Sequence, residues 1–219
     1  MRSWTIRLQG MEDRMADYSP GLEGVIAGET AICTINESGL SYRGYSIQDL
    51  AEKCTFEEVA YLLLHGELPG RSARAEFART LARQRALPAD LTRWVRRIPA
   101  GVHPMDALRT AISLQSHHDP DRDASSREAN LRKAVRLLAQ TPALIAEWHC
   151  ARRGRPAPKI RQSGSHAAHL LRLLAENGEE LAGDPAAVRA VDVSLILYAE
   201  HEFNASTFGA RVVVSTLSD

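Results

Sequence analysis

The apolar residues fall into runs of helical length, separated by proline, glycine and short polar stretches. After about residue 46 this pattern holds almost to the end. Ser46-x-x-Asp49 has the form of a capping box opening a helix over 47–53, and Thr55-x-x-Glu58 does the same for FEEVAYLLLHG. Gly66 supplies the stop for that helix, with Pro69 just beyond. Further helices are predicted over 74–86, 90–98 and 105–115, and a long one over 129–153 in which Pro142 is expected to produce a kink or a division. GRPAPKIRQSGS, 154–165, reads as a surface loop. HAAHLLRLLAENG and AAVRAVDVSLILYAEHEF give two more helices, and another apolar run begins near the C-terminal end.

The N-terminal part departs from this pattern. Residues 1–20 are polar and mixed and read as a loose arm. AICTI (31–35) has strand composition, NESG (36–39) has turn chemistry, and LSYRGY (40–45) returns as a second strand. The expected architecture is all-α, a multi-helical domain carrying one short β-hairpin. No internal change of composition marks a second domain.

The 219 residues suffice for a core that needs no disulfide or metal staple. Lysine plus arginine and aspartate plus glutamate each number 27, and the resulting zero net charge argues against nucleic acid or an anionic membrane as the main partner. Cys33, Cys54 and Cys150 are odd in number, far apart and without metal-ligand spacing, which fits idle thiols in a reducing compartment. With neither a signal-peptide core nor a stretch of membrane-spanning length, the expected location is the cytoplasm.

Several polar groups compete as sites. His117-His118-Asp119-Pro-Asp121-Arg-Asp123 begins like a calcium loop, but Ala124 and Asn130 stand where that loop needs glycine and a bidentate glutamate, so a solvated inter-helix loop is expected. His166 and His169 share a helix face but lack a third zinc ligand, and are read as a partly exposed helix start. Arg152, Arg153, Arg155, Lys159 and Arg161 could meet phosphate or simply line a solvated loop without the aromatic residues of a nucleic-acid site. His65 belongs to a helix end that Gly66 caps. His201 and Glu202 follow an apolar helix and sit at a break, with Asn204, Ser206 and Thr207 each suited to cap the next helix. On physics alone two readings stay open there: the polar groups satisfy one another, or imidazole and helix N–H groups hold an anion.

The residues then become specific. GLEGVIAGETAICTI (21–35), SYRGYSIQDLAEKCTFEEVAYLLLHGELP (41–69), HPMDALRTAIS (103–113) and LILYAEHEFNASTFGARVVVSTLSD (195–219) together resemble the citrate synthase family, including its 2-methylcitrate synthase branch. Stretches 31–35 and 197–208 lean toward that branch. The resemblance implies a homodimer of all-α subunits, residues 21–219 being an incomplete large domain. It implies condensation of acetyl-CoA or propionyl-CoA with oxaloacetate to give citrate or 2-methylcitrate and CoA, with acyl-CoA as substrate and no further cofactor or metal. Matched by motif, His201 is an oxaloacetate histidine, Ser206 orients the enol-stabilising histidine, and Asn204 belongs to the same pocket. The enol-stabilising histidine of the family's Gly-Pro-Leu/Lys-His-Gly-Gly motif, the catalytic aspartate and the arginines have no counterpart in this sequence. The chain is therefore expected to be the first part of a longer enzyme and inactive alone. The alternative is a non-catalytic paralogue serving dimerisation or dicarboxylate binding.

Overall fold

The structure, a computed structural model, describes residues 28–37 and 39–216. The arm expected over 1–20 lies outside the described residues. Backbone contacts divide the described residues into two units, one of residues 31–201 and one of residues 28–30 and 202–216.

The first unit opens with the expected hairpin. Strand β1 (Cys33–Asn36) pairs antiparallel with β2 (Gly39–Tyr42), Cys33 facing Tyr42 and Asn36 facing Gly39. The second strand stops sooner than its composition suggests. Arg43 and Gly44 both take positive φ, 50° and 87°, and reverse the chain into a short third strand, β3 (Tyr45–Ser46). Arginine at positive φ is uncommon. Here Arg43 donates its backbone N–H to Ile32 and its guanidinium to the Ala31 and Leu63 carbonyls, which offsets that cost.

Nine helices follow among the described residues of this unit. The first is α1 (Ile47–Lys53), where the Ser46 hydroxyl accepts from the Asp49 N–H. The next, α2 (Phe56–His65), has both halves of its capping box, and Gly66 ends it at φ 99°. Then come α3 (Arg71–Arg83), α4 (Ala89–Val95) and α5 (Pro104–Ser116), the last capped by the His103 imidazole. Helix α3 begins three residues before the sequence pattern suggests.

Helix α6 (Arg127–Arg152) is one element of 26 residues, and Pro142 does not divide it. Pro142 offers no N–H to the Leu138 carbonyl. Packing outweighs that loss, since Ala139, Ala143, Leu144 and Ala146 are all buried. Helices α7 (His166–Leu174), a four-residue α8 (Gly178–Leu181) and α9 (Pro185–Leu197) complete the unit. The main core joins Tyr42, Leu50, Val59, Leu62, Leu81, Ala139 and Ile196. A second apolar cluster ties α4, α5 and α6 through Leu91, Val95, Ala107, Leu144 and Trp148.

In the other unit, helix α10 (Ala205–Ser215) has no buried residue. Gly28, at φ 154°, lies against Phe203, and a Cβ there would meet the Phe203 ring at 3.4 Å. Among the described residues no helix is long and apolar enough to cross a membrane.

Candidate active site

Helix α9 carries the chain to His201 and is fixed from both ends. At its start the Asp184 carboxylate accepts from the Ala186 N–H at 2.9 Å, and Pro185 occupies the first turn, where its missing N–H costs nothing. Further along, buried Asp192 accepts the Phe56 N–H at 3.0 Å and so caps α2 as well. Arg189 completes the joint, pairing with Asp192 at 2.9 Å and donating to the carbonyls of Cys54 and Ala51. With Ile196 fully buried, the helix axis is set by a charged joint at one point and by apolar packing at another. The helix ends at Leu197, and four residues later His201 stands exposed at the limit of the unit.

Asn204 and Ser206 belong to the other unit. Of the three residues suited to cap α10, Asn204 takes the role. Its side-chain oxygen accepts from the Thr207 N–H at 2.9 Å, and its carbonyl accepts from Phe208 at 2.8 Å. Ser206 sits in the first turn and is exposed, in the region where a helix dipole favours an anion. Glu202 takes positive φ, 53°, at the break. The Arg211 guanidinium lies over the Phe203 ring at 4.6 Å. The geometry thus provides an exposed imidazole at the end of one unit and a capped helix start with an exposed hydroxyl in the other.

The remaining candidates resolve into structural roles. In the 117–123 loop the carboxylates are occupied by arginine. Asp119 is bound by Arg136 at 2.6 Å, and Asp121 pairs with both Arg132 and Arg136. These hydrogen bonds outweigh desolvation and hold both carboxyls below the ordinary aspartate range. Such a loop has no free carboxylate set for calcium, and among the described residues no group of three or more metal-ligating side chains occurs. The basic cluster is largely paired. Arg153 meets Glu176, Arg161 meets Glu179, and Arg152 lies over Trp148 at 4.8 Å. His65 stacks on Tyr61 at 4.1 Å and lies edge-on to Phe77.

His166 and His169 correct the expectation of a partly exposed helix start: they are 4% and 0% exposed. Burial, followed by the charge of Arg85, pushes His166 down to about 4. Burial, followed by Arg85, His166 and Arg172, pushes His169 down to about 3. Buried Glu57 accepts the backbone N–H of His166 at 2.6 Å, and burial raises its carboxyl above the usual range. Fully buried Arg85 donates to the carbonyls of Arg161, Ser163 and Gly164 and so seals the 154–165 loop onto the domain. Nothing in the sequence marks Arg85 or Glu57 for burial, because each resembles an ordinary charged residue at a helix boundary.

A family model described as citrate synthase, C-terminal domain, matches residues 21–219. A 2-methylcitrate synthase of Shewanella oneidensis is 45% identical over 95% of this chain and 55% of its own length. Citrate synthase 2 of Bacillus subtilis is 44% identical over 91% of this chain and 53% of its own. The crystal structure of citrate synthase from Pyrobaculum aerophilum superposes with a TM-score of 0.83 at 34% identity, covering 92% of this chain and 53% of that one. The chain spans about half the length of the curated relatives it matches.

Proposed function

The chain belongs to the citrate synthase family, and from that premise we propose that it serves the condensation of an acyl-CoA, acetyl or propionyl, with oxaloacetate. The products are citrate or 2-methylcitrate and free CoA. In this reading His201 holds and polarises the oxaloacetate, Asn204 lines the same pocket, and Ser206 orients the histidine that stabilises the enol. The observation that carries it is the 201–207 segment. Within seven residues it offers an exposed imidazole and a helix start whose cap is already satisfied by Asn204, so that the Ser206 region can address an anion.

The chemistry sets what these residues can contribute. The carbon next to a thioester is a poor acid, and removing its proton needs a base, an enol stabiliser and a positioned electrophile at once. His201 and Asn204 supply the electrophile's side of that arrangement. The base and the enol-stabilising histidine of the family lie in motifs that do not occur among the 219 residues. We therefore propose that this chain alone binds oxaloacetate without turnover, and that the working enzyme is a homodimer in the cytoplasm. The test is a titration of oxaloacetate into isotope-labelled chain, followed by NMR. Resonances of His201 and of the α10 start should move, and His201→Ala should abolish the response. An unperturbed His201 at millimolar oxaloacetate overturns the reading.

A further inference from the structure

We propose that Tyr42 is a positioning residue for His201, its hydroxyl fixing the end of α9 from which the imidazole is presented. The inference rests on the reading of His201 as an oxaloacetate ligand. Its physical basis is the fate of the carbonyls at the helix end, which have no partner within the helix. The Ser194 carbonyl takes the Tyr198 N–H at 3.1 Å, and that of Ile196 takes the Ala199 N–H at 3.2 Å. The Tyr42 hydroxyl lies 3.3 Å from the Ile196 oxygen, 3.4 Å from that of Leu197 and 3.1 Å from that of Glu200. A phenol has one proton, so the three share it, and the shortest contact is to the residue immediately before His201. A single side chain thus ties the last turn of α9 to the segment that leads to the imidazole.

The anchor is itself rigid. Tyr42 is 0% exposed and occupies the central strand of the sheet, with Cys33 on one side and Tyr45 on the other. Its ring is packed in the main core with Leu50, Val59, Leu62 and Ile196. It stands more than 150 residues before its acceptors in sequence, so a motif of consecutive residues around 201 cannot reveal it. Tyr42→Phe keeps the ring and its packing and removes only the donor. The Leu197 and Glu200 carbonyls then lose the contact with this hydroxyl, and the tie between the last turn of α9 and the segment before His201 is cut. A displacement of about 1 Å at a substrate-holding group can cost on the order of a hundredfold.

The experiment compares the wild-type chain, Tyr42→Phe, and a variant with p-aminophenylalanine at position 42, which restores an N–H donor. In Tyr42→Phe the amides of Tyr198 and Ala199, which donate to the Ser194 and Ile196 carbonyls in the turn that Tyr42 ties, should exchange about tenfold faster, as loss of one neutral hydrogen bond permits. The His201 imidazole resonances should move, while amides of β1 and the middle of α9 keep their wild-type rates. The amino variant should bring both signals back. Oxaloacetate affinity, measured on the same samples, should fall and recover in step. If His201 signals and exchange in Tyr42→Phe match the wild type, or if protection falls evenly across the core, the positioning role is wrong. If the wild-type chain gives no response to oxaloacetate, the ligand reading fails, and the exchange data still decide whether Tyr42 fixes His201.

Discussion

Replacing His169 by leucine should remove about half of the acid sensitivity that the buried pair His166 and His169 confers between pH 7 and pH 5. His169 is completely buried, and neither ring nitrogen has a hydrogen-bond partner among the described residues. It stays neutral because burial, with Arg85, His166 and Arg172 nearby, holds it near 3, while His166 is held near 4. In the unfolded chain both titrate near 6.5. Between these values the unfolded state binds more protons than the folded one, so stability rises with pH. The contribution is fully present above pH 6.5 and is lost as pH falls toward 4. From pH 7 to pH 5 the loss is about 2 kcal/mol for each imidazole, roughly 4 kcal/mol together. That is a large share of the roughly 5–15 kcal/mol that holds a typical domain. Glu57, whose carboxyl is raised by burial, acts in the opposite sense but equally in both proteins. Urea unfolding at pH 7 and pH 5 measures the effect. With a slope of about 2–3 kcal/mol per molar urea, the wild-type midpoint should fall by more than 1 M between the two pH values. His169→Leu should fall by about half as much, and should lose little at pH 7 because leucine leaves no unpaired polar atom in the core. Parallel falls of wild type and variant would refute the reasoning.

Two further outcomes follow from the same structure. Arg136→Leu strands Asp119, whose side chain is 7% exposed, and should cost about 3 kcal/mol in chemical denaturation, while added calcium leaves the melting temperature of the wild type unchanged. Val212, Val213 and Val214 are about half exposed on α10, so Val213→Lys combined with Val214→Glu should raise the concentration at which the chain aggregates in light scattering, without lowering the melting temperature of the 31–201 unit.

The parts of the fold legible in the sequence are those decided within a few residues. Thr55 and Glu58 cap α2 from either side, Gly66 ends it in the left-handed region, and both features depend only on local chemistry. The same holds for the proline-rich 154–165 loop and for the presence of a β1–β2 hairpin, though not for its bounds. What escaped depends on distant partners. The Arg43-Gly44 turn needs Ile32, Ala31 and Leu63 to hold an arginine at positive φ. The 117–123 loop reads correctly as no calcium site, but the burial of Asp119 and the pairing of Asp119 and Asp121 with Arg132 and Arg136 depend on the next helix. His166 and His169 look like a polar helix start, and only the packing of α7 against α2, α6 and α9 shows that they are buried. For the candidate site, physics alone left His201 undecided. The HEFNASTF motif gave it a role by resemblance, and Tyr42 became visible only when the chain was folded.

The central claim is that this chain carries the oxaloacetate-holding residues of a citrate synthase-type enzyme. A coupled CoA-release assay with oxaloacetate and either acetyl-CoA or propionyl-CoA tests it most directly, run on residues 1–219 and on any longer product of the same reading frame. The account predicts turnover by the longer protein, lost in His201→Ala, and none by residues 1–219. Turnover by the short chain, or full activity in His201→Ala, would contradict it.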